Sequence, residues 1–221
     1  GTAHAPVAAP VSATATATGA ASVAATATAT APGDARMGMT TPRLPDGTLV
    51  TVSPSGEIRT MDPAEAARQA LRHDYILLGE SHTSACDHRA QAAFITALLA
   101  EGARPAIGLE MVPSDGQPAL DEFSRGATPL DKLSGALDWP KTWGHDFELY
   151  KPVFAVADWA RLPVHGLNVP QRVVRQVSRG GLESVPEADR VWLPPSIIAP
   201  APEQRATLTA IFREHAAMRT A

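Results

Sequence analysis

Two short apolar runs that end in polar groups constrain this chain more than any other feature. Tyr75-Ile76-Leu77-Leu78 has the composition of a buried strand and stops abruptly at Gly79-Glu80-Ser81-His82. Pro105-Ala106-Ile107-Gly108-Leu109-Glu110 repeats the arrangement. In open α/β sheets ligands bind at the carboxyl ends of the strands, which is where these polar groups fall. Two neighbouring parallel strands would bring Glu80, His82 and Glu110 to one edge of a sheet.

The order of the other elements predicts such a sheet. Residues 44–59 read as a β-hairpin, with Leu44 to Val52 and Glu57 to Arg59 flanking Ser53-Pro54-Ser55-Gly56. Asp62-Pro63 supplies an N-cap and a first-turn proline for a helix through Leu71. After the 75–80 strand the spacing predicts a helix from Asp87 to Glu101, with Phe94, Ile95 and Leu98 inward, stopped by Gly102. Strand 105–110 follows, then a helix from Pro113 to about Gly126. Trp139 to Gly144 reads as a loop carrying two large aromatics. Asp146 caps a helix through Phe147, Tyr150, Phe154 and Trp159, and 162–168 reads as a third parallel strand. A short basic helix carries Arg172, Arg175 and Arg179. Residues 186–202 are Pro-rich and irregular, and a last helix runs from Pro202 to about Met218. Strand–helix–strand order with short connections predicts an α/β fold: a mainly parallel sheet flanked by helices, with an N-terminal β-hairpin and a disordered N-terminal tail.

That tail sets the domain boundary. Of the first 31 residues, 14 are Ala and 7 are Thr, so almost no large apolar side chain is present to offset ordering entropy. Residues 1–40 are expected to be a disordered Ala/Thr/Pro-rich linker and 41–221 one domain. The chain opens on Gly1, and an upstream signal peptide, lipoprotein leader or tag is expected to have been removed. The formal net charge of -4 gives no basic footprint for nucleic acid. No apolar run approaches the ~18 residues of a membrane-spanning helix. The single cysteine, Cys86, excludes an intramolecular disulfide and a multi-cysteine zinc site.

Leu77-Leu78-Gly79-Glu80-Ser81-His82, followed by Asp87-His88-Arg89 and Gln91, resembles the ChaN-like haem-binding family, within a wider superfamily that includes the Tiki and erythromycin-esterase-like proteins. Further matches occur in the family's order: Gly108 to Pro113, Gln117 to Asp121, Trp139, Trp143-Gly144, Tyr150-Lys151-Pro152, Leu167-Asn168-Val169-Pro170 and Arg179 to Leu182. The resemblance covers about 75–182. It implies an α/β fold and a haem-binding protein of the cell envelope engaged in haem or iron uptake, often a lipoprotein, with a homodimer around haem as one arrangement. Family members usually continue beyond the last helix seen here, through another helix–strand unit and a late Gly/His motif, so this chain is expected to be C-terminally shortened. The alternative function is a hydrolase of the wider superfamily, with Glu80 or Glu110 as general base and His82 as metal ligand or proton shuttle. The sequence leaves open whether the chain is an enzyme, and favours haem binding.

Candidate haem-binding residues are Glu80, His82, Glu110, Tyr150 and Asn168, with His82 the candidate ligand if a divalent metal is bound instead. Residues two apart on an extended chain share a face, so Glu80 and His82 can share a metal, a haem propionate or a proton. They can equally form a local capping pair. Glu110 reads the same way, or as a buried partner of Arg89 or His82. Tyr150 is either an axial ligand or a core tyrosine. Asn168 ends the third strand. His88 reads as a surface helix histidine, and Cys86 as a small packed residue. Trp139 and Trp143 either line an apolar pocket or cover the core. Arg172, Arg175 and Arg179 could meet propionates or form a solvated helix face.

Overall fold

The structure is a computed structural model, and it describes residues 23–24 and 48–218. The expected linker lies outside the described residues except for β1 (Val23–Ala24), which pairs antiparallel with β2 (Leu49–Val52). The predicted hairpin is present: β2 pairs antiparallel with β3 (Ile58–Met61) in the register Leu49↔Met61 to Val52↔Ile58. Asp62 then caps α1 (Pro63–Ala70), its carboxylate accepting from the backbone N–H groups of Ala64 and Glu65.

The helical elements that follow are α2 (Ala85–Ala100), α3 (Gln117–Ser124), α4 (Leu130–Ala136), α5 (Trp139–Thr142) and α6 (Phe147–Ala160). Beyond them lie α7 (Gln171–Gly180) and α8 (Pro202–Met218). The second sheet has two strands, β4 (Ile107–Pro113) and β5 (Val164–Asn168), which run parallel from Ile107↔Val164 to Pro113↔Asn168.

The expectation of a mainly parallel α/β sheet is therefore wrong. The described residues form a largely helical fold with two small sheets. The segment 75–80 accounts for much of the difference. It keeps the alternation of a strand, with Ile76, Leu78 and Glu80 half-buried and Tyr75, Leu77 and Gly79 exposed. Yet 75–80 has no ladder partner among the described residues. The carbonyls of Leu78 and Gly79 accept instead from the Gln91 side chain, at 3.2 and 3.5 Å. Composition selects extended backbone, but a strand needs a second chain beside it. The expected Trp139–Gly144 loop is also partly helical, because Asp138 turns into α5 with φ +46°.

The main core lies between the β4–β5 pair and helices α2, α3 and α6. Ile107, Leu109 and Met111 from β4 meet Ala92 and Ile95 from α2, Leu120 and Phe123 from α3, and Phe154 and Ala157 from α6. A second cluster joins the hairpin to α1 and the far side of α2 through Met61, Ala66, Phe94 and Leu98. Leu78 packs against both clusters, so the 75–80 segment is held by apolar contacts from its inward face. Gly166 lets β5 approach β4 closely. A Cβ there would stand 2.7 Å from the Pro113 carbonyl oxygen and 2.8 Å from that of Val112.

Candidate functional site

The carboxylate of Glu80 is the centre of the site, and its side chain is only 6% exposed. Three elements aim donors at it. His82 follows on the same loop, and its Nδ1 donates to Oε1 at 3.0 Å. Tyr150, buried on α6, donates its hydroxyl to the same oxygen at 2.8 Å. Gln91 on α2 donates to Oε2 at 3.2 Å. His88 Nε2, one helical turn before Gln91, lies 3.1 Å from Oε2 at ion-pair distance, in an orientation that does not form a hydrogen bond.

Desolvation by itself would raise the Glu80 pKa. The bonds from His82 and Tyr150, the charge of His88 and the bond from Gln91 outweigh it, and the pKa falls below 4.5. Glu80 is thus ionised at neutral pH despite its burial. Tyr150 moves the other way. Burial raises its pKa, the N–H of Trp143 works against that, and the charges of Glu80 and Glu110 add to the rise. The phenol therefore keeps its proton.

A second shell of rings surrounds this pair. Trp143 donates its indole N–H to the Tyr150 hydroxyl at 2.9 Å and presents its edge to His82, centroid to centroid 4.8 Å. His145 lies 5.4 Å from His82 and 5.5 Å from Trp143. Trp139 is buried beside Tyr150 and donates to the His145 carbonyl at 2.8 Å, so it supports the loop from below. The His82 side chain is 42% exposed, so the network reaches solvent there.

Of the residues singled out from sequence, Glu80, His82 and Tyr150 come together. Glu110 does not join their hydrogen bonds. It is exposed, and β4 runs on past it to Pro113, but its charge is felt at Tyr150. Asn168 is exposed and its Oδ1 accepts from the N–H of Val169. His88 was expected on the surface and is fully buried. The helix is capped by Ser84, whose side chain accepts from the Asp87 N–H, and His88 stands seven residues before the buried Ile95, on the same inward face. The pattern Ser84-x-x-Asp87 marks the start of the helix, and the seven-residue spacing from His88 to Ile95 marks its inward face. Cys86, expected to be packed, is exposed, with Arg89 Nη2 3.1 Å from its sulfur. Gln91 was visible as part of the motif but not as a Glu80 partner, and His145 carried no sequence signal. Among the described residues no group of three or more His, Cys, Asp or Glu is gathered to hold a metal ion.

Comparison with known proteins gives this geometry a context. Residues 66–221 match the family model described as haem-binding uptake, Tiki superfamily, ChaN. Among solved structures, ChaN of Campylobacter jejuni, described under the heading of cofacial heme binding, is similar in fold with a TM-score of 0.56. The two are 21% identical, and the match covers 70% of this chain and 58% of that one, so the present chain spans under two thirds of that protein. No curated protein matches the chain. The family match takes in Glu80, His82, His88, Gln91, Trp143 and Tyr150, and it extends over more than half of the sequence: the chain belongs to the ChaN family of haem-binding uptake proteins in the Tiki superfamily.

Proposed function

We propose that the chain binds haem in the cell envelope as part of haem or iron uptake, and that His82 is an axial ligand. The observation that carries the ligand assignment is the 3.0 Å bond from His82 Nδ1 to Glu80. That bond fixes the tautomer: Nδ1 holds the proton, and Nε2 keeps its lone pair for a ligand. An ionised carboxylate behind the ring also makes Nε2 a stronger donor. Haem would supply an iron with an axial position open to such a nitrogen. Trp143 and His145 flank the imidazole and offer ring surface to a flat apolar ligand. Tyr150 and Gln91 hold Glu80 in place, and the raised pKa of Tyr150 disfavours the phenolate that iron would require.

The lowered pKa of Glu80 makes it a weak base, which counts against the hydrolase reading. Glu110, which acts on Tyr150 through its charge, and Asn168 are given no ligand role in this proposal. No described helix is long and apolar enough to cross a membrane. Envelope placement, a lipid anchor on the N-terminal side and a haem-linked homodimer extend the same proposal from the family to this chain.

The test is a haemin titration followed in the Soret region. The purified protein should give a saturable shift, and His82→Ala should lose at least tenfold in affinity or change the ligation spectrum. A titration of His82→Ala superimposable on that of the parent protein would remove His82 from the iron. Sedimentation of apo and loaded protein reads the oligomeric state.

A further inference from the structure

The haem reading leaves a second polar feature without a role. At the carboxyl ends of β4 and β5 lies a cleft of about 300 Å³, lined by Pro113, Asp115, Lys141, Thr142, Gln171, Arg172 and Arg175. Three cationic side chains and one carboxylate line it, and Asp138 and Asp189 just outside the lining pair with two of those cations. The three cations are not equivalent. Arg172 is committed to the fold: it pairs with Asp115 and, at 3.1 Å, with Asp189, tying α7 to the turns on either side. Lys141 reaches Asp138 at 2.9 Å, but both side chains are well exposed. Arg175 has no carboxylate partner among the described residues; its guanidinium touches only Gln171 Oε1, at 3.4 Å.

The cleft adjoins the haem site. Gln171, on its α7 wall, donates to the Thr142 carbonyl at 2.9 Å, and the next residue is Trp143, whose ring packs against that of His82. A flat ligand seated at His82 and Trp143 and extending past the end of α5 would reach Lys141 and Arg175 with its rim. An apolar ring system carrying two carboxylates on one side matches both features: ring surface at one end, and at the other Arg175, without a carboxylate partner among the described residues, beside Lys141, whose pair with Asp138 is solvent-exposed and weak enough to exchange.

We infer that Lys141 and Arg175 bind the carboxylates of the porphyrin, fixing which edge of the macrocycle enters the cleft. This rests on the haem reading but assigns different residues and a different interaction. It also separates the two roles on α7: Arg172 holds the wall, and Arg175 meets the ligand.

The test uses iron-free protoporphyrin and its dimethyl ester in one detergent buffer, with binding read by quenching of tryptophan emission. Haemin titrations run in parallel. The parent protein should bind the diacid at least tenfold more tightly than the diester. The double variant Lys141→Gln/Arg175→Gln should lose that preference and keep the diester affinity, with an unchanged melting temperature. Equal affinity of the parent protein for diacid and diester, or equal weakening of both in the variant, would overturn the assignment. If that happens while haemin still shifts in a His82-dependent way, the carboxylate subsite fails and the haem site stands. If neither porphyrin nor haemin binds, both fall.

Discussion

Tyr150→Phe removes one oxygen from the centre of the site and leaves the packing in place. The phenyl ring would still lie 4.1 Å from His88 and 5.1 Å from Trp139, centroid to centroid, so no cavity opens. Three hydrogen bonds are lost, the weakest a long 3.4 Å contact from the hydroxyl to the His82 carbonyl. The bond to the ionised Glu80 is charge-assisted and worth about 1.5–3 kcal/mol. The bond received from Trp143 is neutral and worth about 1 kcal/mol. The expected loss is roughly 2–4 kcal/mol, read in urea as a lower midpoint with an unchanged slope. The pH dependence has a definite sign. The phenol pKa is raised in the folded protein above its ordinary 10.0, so its contribution is complete below that value and fades as pH rises through the folded pKa. Parent and variant should therefore differ by a constant amount across neutral pH and converge only in strong alkali. A loss below about 0.5 kcal/mol would refute the description of Tyr150 as a buried, hydrogen-bonded group. The same variant reports on ligation. Its Soret shift with haemin should survive, because the hydroxyl is turned toward Glu80; abolition of the shift would make Tyr150 the ligand and displace His82.

Glu80→Gln keeps the shape of the side chain but turns an NH2 group toward donors, so it should cost about 3 kcal/mol in urea unfolding. Because the Glu80 pKa is lowered on folding, the parent protein should lose this contribution as pH falls below 4.5 through the folded value. The Gln variant should lack that acid-limb loss, and an identical acid profile would contradict the ionised carboxylate. Gly166→Ala should destabilise by roughly 1–3 kcal/mol, since its Cβ meets backbone oxygens that cannot step aside. Gly108→Ala should cost less than about 1 kcal/mol, since the collision there is with the exposed tip of Leu167, which can change rotamer. Melting curves that reverse this order would show that β5 is free to move away from β4.

What could be read from sequence follows the range of the interaction that decides each feature. Asp62-Pro63 and Asp146 announce α1 and α6 because capping is settled within one turn. The hairpin is similarly local. His88 was misplaced although its face was legible, since it stands seven residues before Ile95 on the core side of α2. Glu80 and His82 were legible as a pair because two residues on extended backbone share a face, and the structure joins them. Tyr150, 70 residues away, could be named from the resemblance, but its bond to Glu80 depends on how α6 crosses α2. The 75–80 strand failed for the same reason. Its composition is that of a strand, while its ladder depends on a neighbour that no local pattern encodes.

That missing ladder changes what Glu80 does for the molecule. An extended segment without backbone partners would ordinarily fray, because its N–H and C=O groups are satisfied as well by water as by the protein. Here the segment is fastened at its end by side chains. Gln91 holds the Leu78 carbonyl and the Glu80 carboxylate together, Tyr150 pulls the same carboxylate toward α6, and Leu78 packs into both cores. The carboxylate that orients His82 is thus also the anchor of the backbone that carries it. A lost donor would both loosen the segment and alter the proposed ligand nitrogen of His82, so affinity alone cannot separate the two roles. The electronic role survives only in variants that leave the segment fastened. For that reason Tyr150→Phe, which leaves Gln91 in place, is a sharper probe of the site than any change at Glu80 itself.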